Sequence, residues 1–170
     1  MDKGIRRSAQ DPDEDIYLVQ NPALGAALVW RFVEAYAPKA AGRLPALPLL
    51  FIILPIIYRK ELRDVAASTQ LSSGLRLFAG KFKKEQEILH GIQTRILLLK
   101  ELSLSSISIA LQCGLINIDT RTAEASSLRQ KAPRIDVDDI KHMMRSAEKL
   151  GHWCKDLTLQ EVQAILRIKF

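Results

Sequence analysis

The sequence predicts a mainly α fold, a helical domain whose C-terminal half is winged-helix-like and carries a small β hairpin. Three observations lead there. Apolar residues recur at helical spacing along most of the chain. Glycine (8) and proline (7) are scarce for an all-β protein of 170 residues. The spacing changes to a period of two only after Gly114, where Ile116 and Ile118 fall on one face.

Residues 1–16 are polar, charged and aperiodic, which predicts a disordered tail. A single helical domain, 17–170, should follow, with a helical half (17–80) and a winged-helix-like half (81–170). Asn21-Pro22 opens the first helix, with Asn as N-cap and Pro at the first helical position, where its missing N–H costs nothing. Leu24, Leu28, Phe32 and Ala35 lie on one side of it, and Pro38 ends it. Leu44 to Tyr58 is uncharged over fifteen residues. That is shorter than the roughly 20 residues of a membrane span, so a helix buried on every side is expected. Pro55 should kink or break it near Phe51–Ile52, and an amphipathic continuation follows from Arg59. Ser72-Ser73-Gly74 interrupts, and Leu75–Phe78 forms a short helix.

Phe82 to Leu102 is the longest periodic run, with Phe82, Leu89, Ile92, Ile96 and Leu99 on one face. Ser103 or Ser105 is expected to cap a short helix, Ser106–Cys113, closed by Gly114. Residues 115–128 read as a hairpin turning at Thr120-Arg121-Thr122. Helix, short helix, glycine and hairpin is the element order of a winged helix-turn-helix. Asp136 or Asp138 should cap a helix with Val137, Ile140, Met144, Ala147 and Leu150 on one face. Thr158 and Glu161 fit a capping box that opens the last helix. Arg167-Ile168-Lys169-Phe170 alternates and is expected as a terminal strand on the hairpin.

The net charge is +6, from 25 basic and 19 acidic residues. The positive excess sits mid-chain, with nine basic and four acidic residues between 59 and 100. This permits contact with nucleic acid or an acidic protein surface without demanding either. Cys113 and Cys154 are far apart, and no apolar leader precedes them. Free thiols in a reducing, cytoplasmic setting are the simpler reading.

No motif for chemistry emerges. Neither phosphate-cradling glycine pattern is present. His142, His152 and Cys154 lack a second ligand pair for a tetrahedral metal site. The serines are explained by capping and packing, and the paired carboxylates by charged helical surfaces. The chain is therefore expected to be no enzyme, with no cofactor, no metal and no membrane contact. The candidate recognition helix, SISIALQC, offers no Arg, Lys or Asn to read base edges, which argues against sequence-specific DNA readout.

Trp30 and Trp153, with Leu150 and Phe170, are the residues expected at a protein interface, because tryptophan is enriched at binding hot spots. The alternative places both tryptophans in the core. Lys81, Lys83, Lys84 and Lys100 are expected to contact phosphate or an acidic protein surface, as are Arg121, Arg129, Lys131 and Arg134 around the wing. The alternative is a solvated basic face.

A set of segments resembles a known family. They are Asn21-Pro22-Ala23-Leu24-Gly25, Trp30-Arg31-Phe32, Leu47-Pro48-Leu49-Leu50-Phe51, Leu54-Pro55 and Lys60-Glu61-Leu62-Arg63. Ser73-Gly74-Leu75, Arg95, Gly114-Leu115-Ile116 and Leu150-Gly151-His152-Trp153 complete it. In order and spacing the chain after residue 18 resembles the middle component of bacterial three-component ABC-ATPase systems, which are linked to anti-phage defence. The resemblance implies a non-enzymatic adaptor bridging an ABC ATPase of the SMC/Rad50 type and an effector protein. It carries over no catalytic residues. DNA would be met through the complex and without sequence specificity. A winged-helix DNA-binding protein, regulator or accessory subunit, is the alternative.

Overall fold

The first described helix, α1 (Pro22–Tyr36), is covered by helices from the C-terminal half of the chain and by the hairpin. The Asn21 side chain accepts from the Ala23 N–H (2.9 Å) and the Leu24 N–H (3.4 Å), as its place before Pro22 predicts. Gly25, Ala26, Leu28, Val29, Trp30, Phe32, Val33 and Tyr36 are all buried, so more than one stripe of the helix is covered. The computed structural model describes residues 21–37, 43–128 and 137–170. The expected 1–16 tail, Pro38, and Arg129, Lys131 and Arg134 lie outside the described residues.

The uncharged segment breaks where its prolines dictate. Leu47–Ile52 is a 3-10 helix with Pro48 in its first turn, and α2 (Ile53–Ile57) follows at once. Pro55 has no N–H to give the Phe51 carbonyl, so the α pattern cannot extend back through that turn. Leu50 and Ile52 through Leu54 are fully buried, as are Ile56 and Ile57. The amphipathic continuation is a separate helix, α3 (Lys60–Ser68), because Arg59 is extended (φ −96°, ψ 115°). The Arg63 guanidinium donates to the Ile57 carbonyl at 3.1 Å and so satisfies an acceptor at the end of α2. A 3-10 turn (Leu71–Ser73) leads to Gly74, whose φ of +77° opens α4 (Gly74–Gly80).

The long periodic run divides differently from the expectation. Phe82 is buried in the turn before α5 (Gln86–Leu98), and the chain bends at Leu99 into α6 (Lys100–Gln112). Leu89, Ile92, Ile96 and Leu99 face the core as their spacing predicts. Neither Ser103 nor Ser105 caps a helix. Ser103 and Ser106 are buried inside α6, and the Ser106 hydroxyl donates to the Leu102 carbonyl one turn back (2.7 Å). That bond lets a serine sit in a helix interior.

Gly114 (φ +63°) closes α6, and an antiparallel hairpin follows, β1 (Ile116–Asp119) and β2 (Glu124–Ser127). The Asp119 side chain accepts from the Arg121 and Thr122 N–H groups and shapes the turn. The other edge of β2 is bridged to the segment after α1. The Leu47 N–H donates to the Ala123 carbonyl, and the Ala125 N–H to the Pro45 carbonyl.

α7 (Asp138–Cys154) starts with Val137 as N-cap, so Asp138 is its first residue and not its cap. Val137, expected on the core face, is exposed at 54% because it precedes the helix; Met144, Ala147 and Leu150 face inward as expected. α8 (Leu159–Leu166) opens with the Thr158–Glu161 capping box. The terminal residues form no strand on the hairpin. Arg167 is left-handed (φ 56°) and turns the chain along α5, where the Lys169 N–H donates to Gln93 Oε1 at 2.7 Å.

Two glycines let α1 approach its neighbours. A β-carbon at Gly25 would lie 2.0 Å from Ser106 Oγ of α6. One at Gly151 of α7 would lie 2.3 Å from the Phe32 carbonyl oxygen of α1. The buried side chains around these crossings form one hydrophobic cluster that takes in residues of both halves of the chain.

Candidate functional site

Three of the four residues expected at an interface lie inside the chain. Leu150 is fully buried, Trp30 is 1% exposed and Trp153 4%. The Trp153 indole N–H donates to the Leu71 carbonyl (2.8 Å), and its ring lies 5.7 Å from that of Phe78. Phe170 is exposed.

The basic residues are dispersed. Lys100 begins α6 and Arg121 sits at the hairpin turn, both exposed. Lys81 and Lys83 belong to the turn between α4 and α5, and Lys84 follows. Lys81 Nζ donates to Thr69 Oγ1 at 2.8 Å, so this lysine also ties the turn to the end of α3. Lys83 joins Arg76 and Arg167 along a groove of about 300 Å³ floored by Ala79, Phe82, Leu89 and Ile165. Arg76 pairs with Glu161 (3.0 Å), and Arg167 donates to Gln86 Oε1 (2.9 Å). The sequence reading missed Arg76 and Arg167, which reach Lys83 only through the fold.

A second cationic group lies where α3 meets α7. Lys149 Nζ donates to the carbonyls of Ala66, Ala67 and Thr69, closing the last turn of α3. Partial burial holds its ammonium below the ordinary lysine value, with Lys81 and Arg145 adding to the effect. An open depression of about 590 Å³ beside it is lined by Asp64, Ser68, His142 and Arg145, among others. Ser68 Oγ donates to the Val65 carbonyl, and Glu148 pairs with Arg31 of α1 (2.7 Å). Neither is placed as a nucleophile beside a base.

Metal chemistry finds no framework among the described residues, where no group of three His, Cys, Asp or Glu could hold an ion. Burial pushes the Cys154 thiol up to about 12, so it stays protonated and packed. Among the described residues no helix is long and apolar enough to cross a membrane.

Another feature of the surface is apolar. Leu97 and Leu98 at the end of α5 are 67% and 63% exposed, and Leu104 and Leu111 on α6 40% and 39%. A signal for it was in the sequence, because no charged residue occurs from Leu102 to Ile118. The described residues offer two kinds of surface, one cationic and one apolar.

Residues 9–170 match the model of the family described as ABC-three component (ABC-3C) system Middle Component 3. The chain belongs to this family. No curated protein and no solved structure matches it. In this middle component two of the segments that carried the resemblance have structural roles. Asn21 to Gly25 forms the cap and first close crossing of α1, Gly151 makes the second, and Trp153 beside it is buried against Phe78.

Proposed function

We propose that this middle component is a non-enzymatic adaptor. It holds an ABC ATPase of the SMC/Rad50 type against an effector protein in an anti-phage defence complex. The observation that carries the reading is the extent of the family match, which takes in residues 9–170. The surface supports it. An exposed leucine face and dispersed cations suit protein contacts, and the shifted Lys149 and Cys154 groups are accounted for by burial and by neighbouring charges.

The test is co-expression with the neighbouring ATPase and effector genes, followed by purification on a tag carried by this chain. The adaptor reading expects both partners to be retained, and retention of neither would end it. Exposed residues, Phe170 and Lys83 among them, are the ones to change first. The lysines Lys81, Lys83, Lys84 and Lys100 and Arg121 then decide how much charge contributes.

One observation favours the second reading, a winged-helix DNA-binding protein. The segment Pro45–Leu47, which follows α1, pairs with the outer edge of the hairpin. A short strand after the first helix adds to a wing in this way in winged helices. Binding of duplex DNA followed from 50 to 200 mM salt separates the readings. Phosphate-driven affinity should fall by orders of magnitude over that range, whereas a largely apolar protein contact should persist.

A further inference from the structure

Every charged residue that lines the groove between α4, α5 and α8 is a cation. Arg76 comes from α4, Lys83 from the turn after it, and Arg167 from the left-handed position that ends α8. Arg76 is taken up by Glu161, which does not itself line the groove. Among the described residues no carboxylate pairs with Lys83 or with Arg167, whose guanidinium contacts only Gln86 Oε1 and the His90 ring. Glu85 and Glu87, the acidic residues nearest in sequence, do not line it either. Between the cations the lining is apolar. Ala79, Phe82 and Leu89 of the core close it below, and Ile165 of α8 adds to them. Gly80 leaves it open, since a β-carbon there would meet nothing within 4 Å.

We propose that this groove binds an acidic linear segment of a partner protein. An apolar side chain of the segment lies on the lining, and flanking carboxylates meet Lys83 and Arg167. The inference goes beyond the adaptor reading, because it does not depend on which chain supplies the segment.

Charge and shape together select a peptide over nucleic acid. Two unpaired cations neutralise about two phosphates, and duplex binding rests on many more. A single strand would need an aromatic face for its bases to stack on, but Phe82 is only 3% exposed. A peptide suits both features. Arginine can hold a carboxylate through two parallel hydrogen bonds, and pockets for alternate side chains are how grooves read peptides. At about 300 Å³ the groove takes a few side chains and not a folded domain.

The test selects a display library of random dodecapeptides on the full chain and measures the enriched sequences as labelled synthetic peptides. They should carry Asp or Glu on either side of a large apolar residue. Lys83→Glu combined with Arg167→Glu should weaken the best peptide about tenfold or more, as like charges then face each other. Lys83→Gln should give a smaller loss in the same direction, and Lys100→Glu, on α6, none. The changed residues are exposed, so circular dichroism and the melting temperature should hold; if the double reversal unfolds the chain, Lys83→Gln alone decides. Enriched peptides without acidic residues overturn the proposal. So does binding indifferent to the changes at Lys83 and Arg167. A DNA oligonucleotide that binds the chain in place of acidic peptides, and is lost on the same changes, would give these cations to phosphate and overturn it as well.

Discussion

The two close crossings of α1 are made by the same device and differ in what stands opposite. At Gly25 the nearest atoms belong to the side chain of Ser106, and the crossing is as tight as that serine allows. At Gly151 the nearest atoms are the Phe32 carbonyl oxygen and carbon, followed by the Ala35 β-carbon. One obstacle can be removed by a substitution in the partner helix. The other is backbone and cannot. Helix contacts that look alike in a burial map can therefore differ in whether evolution or an experimenter can adjust them.

The largest expected effect is at Trp153 of α7, which packs against Phe78 of α4 and donates to the Leu71 carbonyl. Trp153→Ala should cost about 4 kcal/mol, as large-to-small changes of buried aromatics do, and urea unfolding would measure it. A folded variant of native stability would place this tryptophan outside the core. Gly151→Ala comes next, at about 3 kcal/mol, because α1 and α7 must separate to admit the methyl group. Gly25→Ala should cost less, about 2 kcal/mol, and part of that should return when Ser106→Ala is added. If instead the double variant is no better than the single one, the two crossings do not differ as described. The smallest effect belongs to the outer face of α6. Leu104→Ser or Leu111→Ser should change the stability of the dilute chain by no more than about 0.5 kcal/mol, since neither side chain fills the core.

Where local chemistry decides, the residues could be read directly. Asn21-Pro22, the break before Pro55, Gly114 and the Thr158–Glu161 box each act within one turn, and each stands where expected. The serines of α6 show the limit. Ser103 and Ser105 read as caps in the sequence, yet neither caps a helix, and the small volume of Ser106 is what α1 requires at its crossing with α6. Only the tertiary contact separates those uses. Alternation in Arg167–Phe170 likewise suggested a strand, but the left-handed Arg167 and the Gln93 side chain lay the segment along α5. The tryptophans stayed open from the sequence because hot-spot and core tryptophans share composition. Burial alone places Trp30 and Trp153 inside. Of the candidate surface, Lys83 was legible, but its neighbours Arg76 and Arg167 come from elements far apart in the chain.

The position of α1 also bears on how the chain is made. It leaves the ribosome first among the described helices, yet its covering surfaces, α6 and α7, lie about 80 and 115 residues downstream by the residue ranges given above. Contacts so distant in sequence slow folding, because a long loop must close before any of them forms. Until α7 has been synthesised, Phe32, Val33 and Trp30 lack much of their cover, and a chain halted before residue 138 would expose an apolar helix that the finished protein hides. Such a fragment is the species that chaperones and proteases would meet, so termination before residue 138, ahead of α7, should yield little soluble product.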